Sequence, residues 1–161
     1  MPIFHIQSQA LVEQPDGSKN ELPPALGLQQ RGSCIPVSVG LEQNMAQVLI
    51  QANKPVPAAI QGLALIDTGA SVSCVDSTIA ATLKLPIVGT ANMASASHAN
   101  TSVSLHPIQI TLQNQAISFN ASRAMSANIA NQGFIAIIGR DILQLCTLFY
   151  NGPTGQITLA L

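Results

Sequence analysis

Asp67 is the residue of this chain best placed to do chemistry. It closes the apolar run Leu63-Ala64-Leu65-Ile66 and is followed at once by Thr68, Gly69, Ala70 and Ser71. The 161 residues contain only 7 acidic side chains, and a carboxylate at the end of a buried strand is costly to desolvate unless it is used. A hydroxyl residue and a glycine directly after it permit a sharp turn that brings main-chain N–H groups back to the carboxylate. A carboxyl fixed at the end of a rigid element can give or take a proton. Other chemistries find less support. His5, His98 and His106 share no ligand spacing with Cys34, Cys74 and Cys146, which contain no Cys-x-x-Cys pair. Neither a metal nor a cofactor is therefore expected, and the cysteines are expected as reduced, mostly buried thiols.

A second segment downstream, Phe134-Ile135-Ala136-Ile137-Ile138-Gly139-Arg140-Asp141-Ile142-Leu143, sharpens the reading. Asp67-Thr68-Gly69-Ala70 resembles the active-site motif of aspartic proteases. The downstream segment resembles the apolar-apolar-Gly-Arg-Asp/Asn stretch that opens the C-terminal helix of retropepsins. Two motifs in this order make residues 34–161 similar to the retropepsin-like (retroviral-type) aspartic protease family, as a bacterial or cellular single-domain member. Residues 1–33 are not covered and read as an N-terminal arm packed on the body.

The resemblance implies an all-β, half-barrel acid-protease fold with two or three short helices, completed as a homodimer. It implies an aspartic endopeptidase, with protein or peptide as substrate and Asp67 as the catalytic carboxylate. Thr68 and Gly69 would support the catalytic loop, Thr68 by a hydrogen bond across the two-fold axis. Gly69, Ala70 and Ser71 would lie along the substrate, and so would Ala94, Ser95 and Ala96 at the tip of a flap spanning residues 88–103. That tip is Gly-poor, unlike the family flap, and a plain surface loop is the competing reading. Ile137, Ile138 and Gly139 would pack behind the catalytic loop. Arg140 would pair with an acidic group near that loop. The family has an acid two residues after the motif glycine where this chain has Ser71, so the partner of Arg140 is open between Asp76 and main-chain carbonyls. A solvated helix start is the competing reading of Arg140.

Aspartic proteolysis needs two carboxylates sharing one proton. This chain has one Asp-Thr-Gly: Asp16-Gly17 is flanked by polar residues, and neither Asp76 nor Asp141 precedes a glycine. The second carboxylate must then come from another copy across a two-fold axis. A catalytically silent acid-protease fold, acting as a dimerising or peptide-binding module, is the alternative. A small β-barrel binding protein with a coincidental tetrapeptide would also have to explain the Gly139-Arg140 segment.

Around these motifs the chain alternates like a β protein. Strands are expected at 3–7, 34–39, 60–66, 72–75, 105–112, 116–121, 134–138, 147–150 and 156–161, with turn signals at 14–18, 113–115 and 151–155. Pro36 points to an edge position for its strand. Leu41, Met45, Val48 and Leu49 predict an amphipathic helix over 41–52, ended by Lys54-Pro55-Val56-Pro57. Asp76 or Ser77 should cap a short helix facing inward through Ile79, Ala80 and Leu83, and 140–145 another. The final strand places Ile157, Leu159 and Leu161 on one face, an apolar edge that a partner subunit would cover.

Composition agrees with this picture. Charged residues make up 8%, apolar residues 47%, and the net charge is −1. No basic cluster exists to attract nucleic acid or an anionic membrane, and so few charges imply that much surface enters a subunit interface. No signal peptide or spanning segment is visible, so a soluble, cytoplasmic protein is expected.

Overall fold

Burial along β4 (Cys34–Leu41) alternates residue by residue, putting Ile35, Val37, Val39 and Leu41 into the core. This is the period-2 signature of a strand with one face inward. The computed structural model describes residues 2–95, 98–113 and 117–161. Five further strands complete the barrel: β5 (Ile60–Ile66), β6 (Cys74–Asp76), β8 (His98–Leu112), β9 (Ser118–Ala127) and β10 (Ala136–Ile138). They run in the order β4-β5-β10-β6-β9-β8, and β4 pairs with β8 to close the ring. Closure removes the free edges that an open sheet would expose. The pairs β5–β10 and β6–β9 are parallel, the remaining ones antiparallel. Outside the ring, β7 (Gly89–Ser95) pairs only with the first half of β8, forming a projecting hairpin where the flap was expected. Ala96 of the expected flap tip lies outside the described residues, as do Asn114, Gln115 and Ala116 of the expected 113–115 turn.

The position of Pro36 is a correction. Its strand is flanked on both sides, by β5 through Pro36↔Leu63 and by β8 from Val37↔Leu112 onward. Proline is tolerated because on that side it faces Gln113, just past the end of β8, and meets it through its carbonyl, which accepts the Gln113 N–H at 3.1 Å.

A separate three-stranded sheet has β12 (Gln156–Ala160) in the middle, between β1 (Ile3–Gln7) and β11 (Thr147–Asn151). The expected apolar edge at 156–161 is therefore already covered by the chain itself. Ile157 and Leu159 are buried in the same core as Ile35 and Ile110, together with Phe4 from β1. A two-stranded ribbon of β2 (Leu11–Glu13) and β3 (Lys19–Glu21) turns through Gly17 at φ 81°.

Four short α-helices and a 3-10 turn at Ala130–Gln132 complete the described structure. The sequence reading did not anticipate α1 (Pro24–Arg31), which starts with Pro24 in its first turn and buries Leu28. In α2 (Gln43–Gln51) the Glu42 carboxylate accepts the N–H groups of Asn44 and Met45. Its inward face is Ala46 and Leu49; Met45 and Val48, expected inside, are exposed. α3 (Ser77–Thr82) is capped by Asp76 and packs through Ile79, Ala80 and Leu83 as expected. α4 (Arg140–Leu143) follows β10 directly. No helix among the described residues is long and apolar enough to cross a membrane.

Candidate active site

Strand β5 delivers Asp67 to its position. Ala64 and Ile66 are buried, Ile66 lies opposite Ile138 of β10, and the Asp67 N–H extends that ladder by donating to the Ile138 carbonyl at 3.0 Å. The chain then turns. The Gly69 N–H donates to Oδ1 of Asp67 at 2.8 Å, and the Ala70 N–H donates to the Asp67 carbonyl at 3.2 Å. Asp67 is left half-buried, with Thr68 and Gly69 exposed.

Arg140 fixes this loop from below. Its Nη1 donates to the carbonyls of Thr68 at 2.8 Å and Gly69 at 3.0 Å, and its own N–H donates to the Ala70 carbonyl at 2.9 Å. Of the two partners left open by the sequence, the main chain is the one used. Asp76 is occupied elsewhere: it accepts from the N–H and hydroxyl of Thr78 and from the N–H groups of Ile129 at 3.0 Å and Ala130 at 2.8 Å. Burial pushes the Asp76 carboxyl up, but these hydrogen bonds outweigh it and hold the group below its usual range.

Gly139 is required by packing. A Cβ there would sit 2.7 Å from the Val72 carbonyl carbon and 2.9 Å from the Ser73 nitrogen, so the two backbones touch only because the side chain is absent. Ile138 is buried beside it, and Ile137 contributes to the cavity wall. The sequence reading did not single out Ser73 and Asp141 for this region. The Asp141 carboxylate accepts the hydroxyl of Ser73 at 2.7 Å, the N–H of Ser73 at 2.9 Å and the N–H of Ile142 at 3.0 Å, while the Ser73 Oγ accepts the Gly139 N–H at 3.0 Å. A polar residue in the run Val72-Ser73-Cys74-Val75 and an acid in the first turn of α4 were the available signals.

The loop borders a cavity of about 710 Å³. Asp67, Gly69, Ala70 and Ser71 line it together with Asn92 and Met93 of the hairpin strand β7 and an apolar set of Val72, Cys74, Met125 and Ile137. Asp67 is the one charged group among these lining residues. Thr68 is not part of the lining. Ala94 and Ser95 follow Met93 on the backbone of β7. Met125 was missed because β9 continues past Ala121, where the sequence reading ended it. A register shift between His106 and Ile108 of β8 disrupts the alternation that would have shown the continuation.

Cys74 lies in this wall as a buried thiol, pushed up to about 11 by burial and by the nearby charges of Asp141 and Asp67. Such a group is protonated at neutral pH and a poor nucleophile. Among the described residues, no group of three His, Cys, Asp or Glu side chains is placed to hold a metal ion. The chemical capacity of the site therefore rests on one carboxylate on a tightly held loop, facing a largely apolar cleft.

One comparison with known proteins points the same way. A family profile described as "gag-polyprotein putative aspartyl protease" matches residues 58–144, from the start of β5 through α4. No curated protein matches the sequence. Among solved structures, a retropepsin-like aspartic protease from Rickettsia conorii aligns over 98% of this chain and 91% of its own. The identity is 10% and the TM-score 0.44. The profile match spans more than half of the chain and encloses both the Asp67 loop and the Gly139-Arg140 segment that holds it: the chain belongs to the gag-polyprotein aspartyl protease family.

Proposed function

We propose that the protein is an aspartic endopeptidase that works as a homodimer in the cytoplasm, hydrolysing peptide bonds with a dyad made of Asp67 and its symmetry mate. The observation that carries this reading is the placement of Asp67 beside the 710 Å³ cleft, on a loop held by Gly69, Ile138 and Arg140. One carboxylate alone cannot both activate water and protonate the carbonyl oxygen. Two of them at close range share a proton, because repulsion separates their ionisations. The ionised member takes a proton from water as it attacks the scissile carbonyl; the protonated member donates to the oxygen of the forming diol.

In this reading Thr68 and Gly69 support the catalytic loop. Ala70 and Ser71 line the substrate path, the β7–β8 hairpin closes over the peptide, and Ala94, Ser95 and Ala96 are its expected substrate contacts. Ile138, Gly139 and Arg140 form the structural backing. Residues 34–161 make up the catalytic unit and residues 1–33 an arm packed on it; Phe4 and Leu28, which enter the shared core, support the packing.

The test is cleavage of an unstructured protein across acidic to neutral pH, with and without a statine-type inhibitor, in parallel with sedimentation. Cleavage that the inhibitor blocks, by a dimer, is the expected result. Absence of cleavage by a folded dimer would favour a silent binding module, and cleavage by a stable monomer would rule out the dyad.

A further inference from the structure

Residues 1–33 lie outside the family match at 58–144, yet with the start of β4 they enclose two adjoining cavities. The inner one, of about 190 Å³, lies between Gln7, Ser8 and Gln9 of the arm and a floor of Cys34, Pro36 and Leu63. The outer one, of about 390 Å³, shares Gln7, Ser8 and Gln9 and adds Leu11 and Glu21 of the β2–β3 ribbon. Arg31 lines both, and in the inner cavity it is the one charged residue. It stands in the last turn of α1, where a helix C-terminus favours a cation. Gly32 follows at φ 75°, with a Cβ position only 3.0 Å from Leu65 Cδ1, so α1 ends directly against β5. The Cys34 Sγ donates to the Arg31 carbonyl at 2.9 Å, and the Arg31 charge opposes the upward push of burial on that thiol.

The inner cavity is continuous with the cleft beside Asp67. Leu63 and Leu65 share one face of β5. Leu65 lies opposite Cys34 on one side and Ile137 on the other. All four belong to one apolar cluster with Met93 and Met125 of the cleft. An apolar path therefore runs from the cleft wall at Ile137 across Leu65 to Cys34 and the cavity beside Arg31. Two strand spacings separate Ile137 from Cys34, about 10 Å, or roughly three residues of extended peptide.

We propose that the inner cavity is a distal substrate pocket, in which Arg31 receives the side-chain carboxylate of an Asp or Glu in the bound peptide. That acid lies about three residues beyond the one resting on Ile137. The proposal rests on the reading of the cleft as a peptide site. A guanidinium offers a fork of N–H donors that matches a carboxylate, and the Ser8 hydroxyl and Gln9 amide beside it are neutral donors that can complete the set. The outer cavity leaves room for the chain to continue, so the acid is internal to the peptide, and Glu21 there disfavours a second acid further out. In a two-fold dimer the pocket occurs twice, which places an acid preference on each side of the scissile bond.

The test uses pairs of peptides with a common apolar centre and Glu or Gln at the distal position, amidated at the C-terminus and otherwise alike. Binding is read by fluorescence anisotropy on the Asp67→Asn protein, and cleavage on the protein with Asp67 intact. The Glu peptide should bind about tenfold more tightly, as a charge-assisted hydrogen bond allows, and should be cleaved with a lower KM at similar kcat. Arg31→Gln should bring the Glu-to-Gln ratio close to one, and Arg31→Glu should invert it. Arg31 is exposed, so both variants should fold, which circular dichroism checks. Inversion of the ratio is a readout that a merely structural role for Arg31 would not move. A ratio near one in the wild type, or one that neither variant alters, would overturn the pocket, and cleavage by the same wild type would leave the proteolytic reading intact. A peptide ending at the distal position with a free carboxylate, bound better than the internal Glu, would overturn the side-chain assignment. A binding ratio that follows Arg31 in a protein that cleaves no peptide would uphold the pocket and overturn the proteolytic reading.

Discussion

Ser73 and Asp141 are 68 residues apart in sequence and joined by a 2.7 Å hydrogen bond. Through it, the chain leaving the Asp67 loop is tied to the first turn of α4. Ser73 is fully buried, so its hydroxyl and N–H depend on that one carboxylate oxygen. Replacing Asp141 with Ala leaves both donors unpaired. The expected cost is about 1–3 kcal/mol of stability, measurable by urea denaturation, and Asp141→Asn should cost less because it keeps an acceptor oxygen. A midpoint unchanged in Asp141→Ala would show that the bond is structurally idle.

Gly139→Ala should be worse than its size suggests. The added methyl meets backbone atoms of Val72 and Ser73, which no rotamer change can move away. Overpacking of this kind costs roughly 1–3 kcal/mol or more. The same displacement should reach Asp67, since the Arg140 N–H beside Gly139 is bonded to the loop. Thermal unfolding and cleavage rate should therefore fall together. Gly133→Ala makes a useful comparison: φ there is 82°, which glycine adopts freely and alanine only with strain, but the added Cβ meets nothing within 4 Å. It should lower stability without touching catalysis.

Asp67→Asn removes the shared proton with almost no change of shape. Cleavage should fall by about a thousandfold or more, while melting temperature and sedimentation stay near wild type. Activity unaffected by the change would place the chemistry elsewhere.

Acid stability should depend on Asp76. Its carboxyl sits below the ordinary value of 3.8 because its hydrogen bonds outweigh burial. The unfolded chain therefore takes up this proton first as pH falls. The stabilisation is fully present above the unfolded value near 3.8 and is lost as pH drops through the lower folded value. Asp76→Asn should weaken the fold by about 1–3 kcal/mol at pH 7 and flatten the acid limb of a stability–pH curve. An acid limb as steep as that of wild type would assign it to other carboxylates.

Thiol reagents should barely touch Cys74. With its pKa at about 11 against the ordinary 9.0, its thiolate fraction near neutral pH is about a hundredfold lower. Alkylation followed by mass spectrometry should label Cys74 in the native protein far more slowly than in the unfolded chain. Rapid native labelling would mean that the cavity wall opens.

The site was more legible in the sequence than its supports. Asp67-Thr68-Gly69 and Gly139-Arg140 are local patterns, and the parallel pairing of β5 with β10 brings them together. Arg140 could be expected to hold the loop, but its partner could not be chosen, because main-chain carbonyls leave no mark on a sequence. Ser73 and Asp141 were invisible as a pair for the same reason that any long-range contact is. Helix α1 escaped notice because Leu22-Pro23-Pro24 reads as an extended breaker, although Pro24 also suits a first helical turn. Val48 was placed inward because helical spacing gives a stripe but not which edge of it meets the barrel. The 156–161 segment was read as an exposed edge because alternation shows an apolar face and says nothing about how many neighbours flank the strand.

The central place of β12 also governs the order in which the molecule can assemble. His5 and Thr158, bonded across the β1–β12 pair, are 153 residues apart. On a ribosome β1 emerges long before β12 and waits, without a sheet to join, until β12 has been made. Contacts of such long sequence separation slow folding toward the millisecond-to-second range typical of β-rich topologies. During that interval the Phe4 side chain has no completed core to enter. The barrel, whose strands lie closer together along the chain, should therefore form first, and the three-stranded sheet should close last, as the step that commits the chain to its native state.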